Sequence, residues 1–122
     1  KNFSSHIVME GASLANFSEF VERGKSLQDE DTDRPPPMTI KLLTDGLHCK
    51  FETKKGVVTT ILSVTPMRVN NGETIIVDPV AMMDILTAFS DVKIHILFVG
   101  NTRLALISST TQQVGLVVGT TN

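Results

Sequence analysis

Three histidines and one cysteine are the side chains in this 122-residue chain best suited to site chemistry. His48 and Cys49 are neighbours, but the run LHCKFET (47–53) alternates as a strand and sends them to opposite faces, where they cannot share a metal. His6 and His95 fall in two other strand-like runs, with no acid or thiol at ligand spacing, and read as ordinary strand histidines. The carboxylates are densest in DEDTD (29–33), just ahead of Pro35, Pro36 and Pro37, where solvent sets their ionisation. The chain has no phosphate-cradling glycine loop, no dinucleotide fingerprint, no paired-histidine zinc helix and no nucleophile elbow. The expectation is a non-enzyme that uses no metal and no cofactor.

The cations come next. Eleven Lys and Arg stand against thirteen Asp and Glu, a net charge of −2, which excludes a broadly basic nucleic-acid binder. There is no Trp or Tyr, and the phenylalanines fall mainly on apolar faces, so stacking on single strands is unsupported. Arg23 and Lys25 are the cations best placed to touch phosphate, near the end of an amphipathic stretch that also carries Glu19 and Glu22. A single cysteine excludes an intrachain disulfide framework and points to a reducing compartment. The N-terminal residues lack the apolar core of a signal peptide, and no apolar run nears the ~20 residues that span a bilayer. A cytoplasmic protein is expected.

The elements that must carry these residues follow from periodicity. SSHIVME (4–10) alternates as a strand. From Gly11 the spacing turns helical, with Leu14, Phe17, Val21 and Leu27 on one side, predicting a helix over 12–27 with Ser13 as its cap. MTIKLLT (38–44), LHCKFET (47–53) and GVVTTILSV (56–64) predict an antiparallel meander, with Asp45-Gly46 and Lys54-Lys55-Gly56 as turns. Thr65 to Gly72 reads as a connector. The order then restarts with ETIIV (73–77), and Asp78-Pro79 opens a helix that places Met82, Ile85, Leu86 and Phe89 on one face. Ser90-Asp91 is expected to end it. A second meander follows over 92–99, 102–108 and 112–118, with turns at Gly100-Asn101 and Ser109-Thr110-Thr111.

The predicted fold is α+β, a tandem βαβββ-βαβββ arrangement in a single domain over 1–122. Its pseudo-repeats run over 4–65 and 73–118, with both helices on one face of antiparallel sheets. The last strand of each half carries no charge or proline between its ends, although exposed edges normally have such blunting residues. Val57, Val58, Thr60 and Leu62 in the first half, and Val114, Leu116 and Val118 in the second, are therefore candidates for joining another domain or another copy of the chain.

Two βαβββ units in tandem, each with one amphipathic helix, resemble the repeating domain of DNA sliding clamps. ETIIVDPVAMMDILTAFSDVKIHILFVGNTRLALISS is similar to the strand, second helix and hairpin of a bacterial beta clamp domain. HIVMEGASLANFSEFVERG resembles the first strand and helix of one. Clamp rings are built from six such domains, with helices lining the hole and sheets forming the wall. The resemblance implies an oligomeric ring, or one domain of a longer clamp, that encircles duplex DNA without bond chemistry. It also implies tethering of replication proteins such as a polymerase or clamp loader, through a peptide pocket to which no position of this sequence is matched. Because the helices carry few cations, an alternative stands beside it. This is a clamp-fold protein-interaction module, of phage or mobile-element type, that binds partners through its edge strands without encircling DNA.

Overall fold

The computed structural model describes residues 3–27, 34–89, 93–100 and 102–120. In chain order the elements are β1 (Ser5–Glu10), α1 (Gly11–Lys25), β2 (Met38–Leu43), β3 (Gly46–Thr53), β4 (Gly56–Leu62), β5 (Thr65–Arg68), β6 (Glu73–Val77), α2 (Pro79–Ala88), β7 (Lys93–Val99), β8 (Arg103–Ser108) and β9 (Val114–Val118). Alternation sets the strand faces. Met38, Ile40 and Leu42 of β2 turn inward while Lys41 faces solvent, and Ile94, Ile96 and Phe98 do the same on β7.

The strands form two antiparallel sheets, one in the order β5-β1-β7-β8-β9 and the other in the order β4-β3-β2-β6. Each half lends its first strand to the other. β1 pairs with β7 over six residues, from Ser5 opposite Phe98 to Glu10 opposite Lys93, and β6 pairs with β2. The halves are thereby interlocked, and one continuous core draws on both sheets and both helices.

The two helices start differently. Asp78 caps α2 as its sequence predicts, accepting the Val80 amide at 3.0 Å with Pro79 in the first turn. At α1 the expected Ser13 cap is not used. The helix begins at Gly11, its cap position is Glu10, three residues before Ser13 and without a side-chain bond, and β1 runs straight into it through Gly11 at φ +59°. α1 also stops at Lys25, short of Leu27, and α2 is capped at Phe89. The expected helix stop at Ser90-Asp91, the Asn101 half of the turn after β7 and the acidic run 29–33 lie outside the described residues.

The expected connector from Thr65 is a correction. Thr65 to Arg68 is a strand, pairing Thr65 with Val8, Pro66 with Ile7 and Arg68 with His6. Pro66 is tolerated because β5 ends its sheet, so the missing N–H interrupts no inner ladder.

Close packing fixes the helices on the sheets. The rings of Phe20 on α1 and Phe51 on β3 lie 5.1 Å apart at 32°, worth about 0.5–1.5 kcal/mol beyond the area they bury. Gly24 lets the last turn of α1 lie directly on Phe51, since a Cβ there would fall 1.7 Å from the ring's Cζ. On the other half, Gly115 of β9 makes the same kind of room for Ile85 of α2.

Candidate assembly edges and the helical face

Among the described residues β4 pairs only with β3, and β9 only with β8, so each ends its sheet with one backbone edge unpaired. Among the described residues, every large exposed apolar side chain lies on or beside an edge strand. Val57, Val58 and Ile61 are on β4, Met67 and Val69 on and just after β5, and Val114, Leu116 and Val118 on β9. Leu116 is 55 % exposed and Ile61 56 %. Neighbours within a strand play different parts. Val57 and Ile61 turn outward, opposite Glu52 and His48, whereas Val58 and Thr60 turn toward α1, opposite buried Phe51 and Cys49. Leu62, at 3 % exposure, spends its side chain in the chain's own core and leaves only backbone at the edge. Ile61 was missed in the sequence, although its alternation with Val57 marks it.

The fourth edge is different. β6 carries no exposed large apolar residue, and the amide of Thr120 donates to the Ile76 carbonyl at 2.7 Å. Thr120 follows buried Val117 of β9 by three positions, just as Thr65, which pairs with Val8 of β1, follows buried Leu62 of β4. The two halves thus treat their first strands alike, except that among the described residues only the first half extends the contact into a strand.

Arg23 and Lys25 are both exposed in the last turn of α1, where cations favour the carbonyl end of the helix. Glu19 and Glu22 are exposed on the same helix, and Asp84 is the one charged residue of α2. The exposed helical face therefore has two cations against three anions within the helices. Arg23 also lines a cleft of about 200 Å³ between α1 and β4, with Asn16, Glu19, Val58 and Thr60. It thus sits beside the edge strand β4 as well as on the helical face.

A larger groove of about 490 Å³ runs beside β5. The β2–β3 turn (Leu42 to Gly46) forms one side of it, and Val64, Pro66, Met67, Arg68 and Val69 form the other. Its lining is mainly apolar, from Leu42, Val64, Pro66, Met67 and Val69, with Arg68 and Asp45 as its charges. No short motif announces it, because its walls come from segments some twenty residues apart that read as a turn and a connector.

The titratable side chains are placed as follows. His48 faces outward and bonds Asp45 at 2.6 Å, and this hydrogen bond holds the Asp45 carboxyl below its usual range. Cys49 faces the core, and burial pushes its thiol up to about 12. His6 and His95, which read as unrelated in the sequence, meet on the outer face of the five-stranded sheet with 2.9 Å between Nε2 and Nδ1. Among the described residues no three metal-ligating side chains come together, and no helix is long and apolar enough to cross a membrane.

Two interlocked βαβββ units with their helices side by side define the fold of a DNA sliding-clamp domain. Solved structures carry the likeness. The DNA polymerase III beta chain of Streptococcus pneumoniae TIGR4 superposes with a TM-score of 0.78 at 16 % identity, over 100 % of this chain and 32 % of that one. The DNA polymerase sliding clamp of Pseudomonas aeruginosa gives 0.78 at 10 %, over 100 % and 32 %. The beta subunit from DNA polymerase of Streptococcus pyogenes gives 0.76 at 14 %, over 96 % and 31 %. The chain thus spans about a third of each clamp's length. No protein-family model matches it, and no curated protein matches it in sequence.

Proposed function

We propose that this chain is a non-catalytic, sliding-clamp-like processivity domain. It assembles edge to edge, with further copies or further clamp domains, into a ring around duplex DNA. The observation that carries this reading is the pairing of fold with edges. In a clamp-domain fold, β4 and β9 both end in unpaired backbone flanked by exposed Val57, Ile61, Val114, Leu116 and Val118. Such edges are normally blunted unless another strand covers them. Joining β4 of one domain to β9 of the next would extend the sheets and bring α1 beside the neighbour's α2, so that the helices face the DNA. Topology rather than affinity would retain the ring, which is compatible with a nearly neutral helical face. Arg23 and Lys25 are the proposed phosphate contacts, and the groove beside β5 is the proposed seat for an apolar segment of a polymerase or clamp loader. A cytoplasmic setting follows from this role.

The test is retention on circular duplex DNA. Salt-sensitive retention that drops several-fold in Arg23→Glu/Lys25→Glu supports the reading, since taking a cation away from a phosphate weakens binding and flattens its salt dependence. Retention unchanged by the double substitution contradicts the proposed contacts.

The charge balance of the helices favours a second reading. Glu19, Glu22 and Asp84 outnumber the two cations there, as suits a clamp-fold module that binds proteins through its edges and leaves DNA alone. A stable protein complex indifferent to DNA would select it.

A further inference from the structure

His6 on β1 and His95 on β7 form a hydrogen-bonded imidazole pair, with ring centroids 5.1 Å apart. On the other side of β1, Arg68 of β5 stands opposite His6 in register. The Arg68 guanidinium lies 5.8 Å from the centre of the Phe3 ring, which meets His6 edge to face at 5.9 Å and 84°. A row of Arg68, Phe3, His6 and His95 therefore crosses three strands. The other charged groups bordering this face are Glu10 and Lys93, which stand opposite each other, and Arg103 at the far end of the β7–β8 ladder. Directly opposite His95 in register are Val8 and Ile107, both apolar, and Glu10 lies one same-face position beyond Val8 on β1.

An imidazole pair needs one ring to donate and the other to accept. One added proton preserves that bond, whereas a second removes the only acceptor and leaves two cations beside Arg68. Burial, and after it the neighbouring His95, hold His6 below its ordinary value of 6.5, so the doubly charged state opposes the folded arrangement. The sign follows from linkage. A histidine whose folded value is lowered leaves stability intact above 6.5 and erodes it as pH falls through 6.5 toward that lower value.

We propose that the His6–His95 pair is an acid-sensitive latch whose double protonation detaches β5 from β1 and opens the groove that β5 walls. β5 is the element that yields. β7 holds β1 over six register pairs and buries Ile94, Ile96 and Phe98, whereas β5 has three pairs, a register shift between His6 and Ile7, a proline without an N–H, and four exposed residues. The consequence for the groove rests on the partner-binding reading above, but the release of the strand does not.

The experiment is amide hydrogen exchange by NMR on the full chain at pH 7.5, 6.5 and 5.5, corrected for intrinsic rates. Protection of the Met67 and Arg68 amides is expected to fall at least tenfold across the range, while Leu104 and Leu106 on β8 hold theirs. In His95→Gln, or in His6→Gln should the first variant lose its amide dispersion, β5 protection should no longer change with pH. Protection of β5 that is flat in the native chain, or that falls equally in the glutamine variants, overturns the latch. Binding of a ten-residue leucine-rich peptide to the native chain at pH 7.5 is scored separately. Its absence would remove the groove reading and leave strand release standing.

Discussion

Ser5 donates a hydrogen bond to Glu73 at 2.6 Å and so ties together the first strands of the two halves, which belong to different sheets. Each is the first residue of its strand and stands five positions ahead of its helix cap, at Glu10 or Asp78. The contact therefore joins two equivalent positions of the repeat. Ser4 donates to the same carboxylate, and the Asn70 amide donates to the Ser5 hydroxyl at 2.9 Å. Ser5 itself is fully buried.

Removing the acceptor should be costly. Glu73→Ala strands a buried hydroxyl, and a loss of about 1–3 kcal/mol is expected in urea denaturation. Glu73→Gln keeps an acceptor and should lose less. Equal stability of Glu73→Ala and the native chain would show that the bond does not hold the halves together.

Gly24 offers a test in which the usual sign is reversed. Glycine in the middle of a helix is ordinarily improved by alanine, by roughly 0.5–1 kcal/mol. Here the added Cβ would strike the Phe51 ring, which is 1 % exposed and packed against Phe20. Gly24→Ala should therefore lower stability by about 1–3 kcal/mol and depress the melting temperature. A rise in melting temperature would mean that α1 does not lie on β3 as described.

Cys49 reports on the same core through its chemistry. Its thiol is held near 12 by burial, against 9.0 when free. The folded chain should therefore resist iodoacetamide at pH 8 and react only on unfolding, because the thiolate is the nucleophile. Linkage gives the companion result. Above pH 9 the unfolded chain releases a proton that the folded chain keeps, so stability should decline as pH rises from 9 toward 12, by at most about 1.4 kcal/mol per unit from this group. Cys49→Ser should flatten that part of the profile. Rapid labelling under native conditions would contradict the burial.

The sequence made the strands and helices legible where one physical signal dominated. Alternation in LHCKFET separates exposed Lys50 from buried Cys49 and Phe51, and Asp78-Pro79 caps α2 because both residues act locally. β5 was hidden because its four residues are all exposed and one is proline, which leaves no alternation to detect. Ser13 misled because Gly11, and not a side-chain oxygen, makes the turn from β1 into α1. The exchange of first strands, the His6–His95 contact and the groove beside β5 join residues far apart in the chain, where no local pattern records the pairing. The two edges were legible from missing charge and proline alone, although which of their side chains face outward required the register: Ile61 does, and Leu62 does not.

Assembly through those edges is the central claim, and mass in solution tests it most directly. Light scattering over a range of concentrations at moderate salt should give a discrete closed oligomer of about six copies, the number of domains in a clamp ring. Leu116→Lys, which puts a charge on the unpaired edge of β9, should reduce it to a monomer. A native chain that stays monomeric at every concentration, with Leu116→Lys indistinguishable from it, would contradict self-assembly of this chain through β4 and β9.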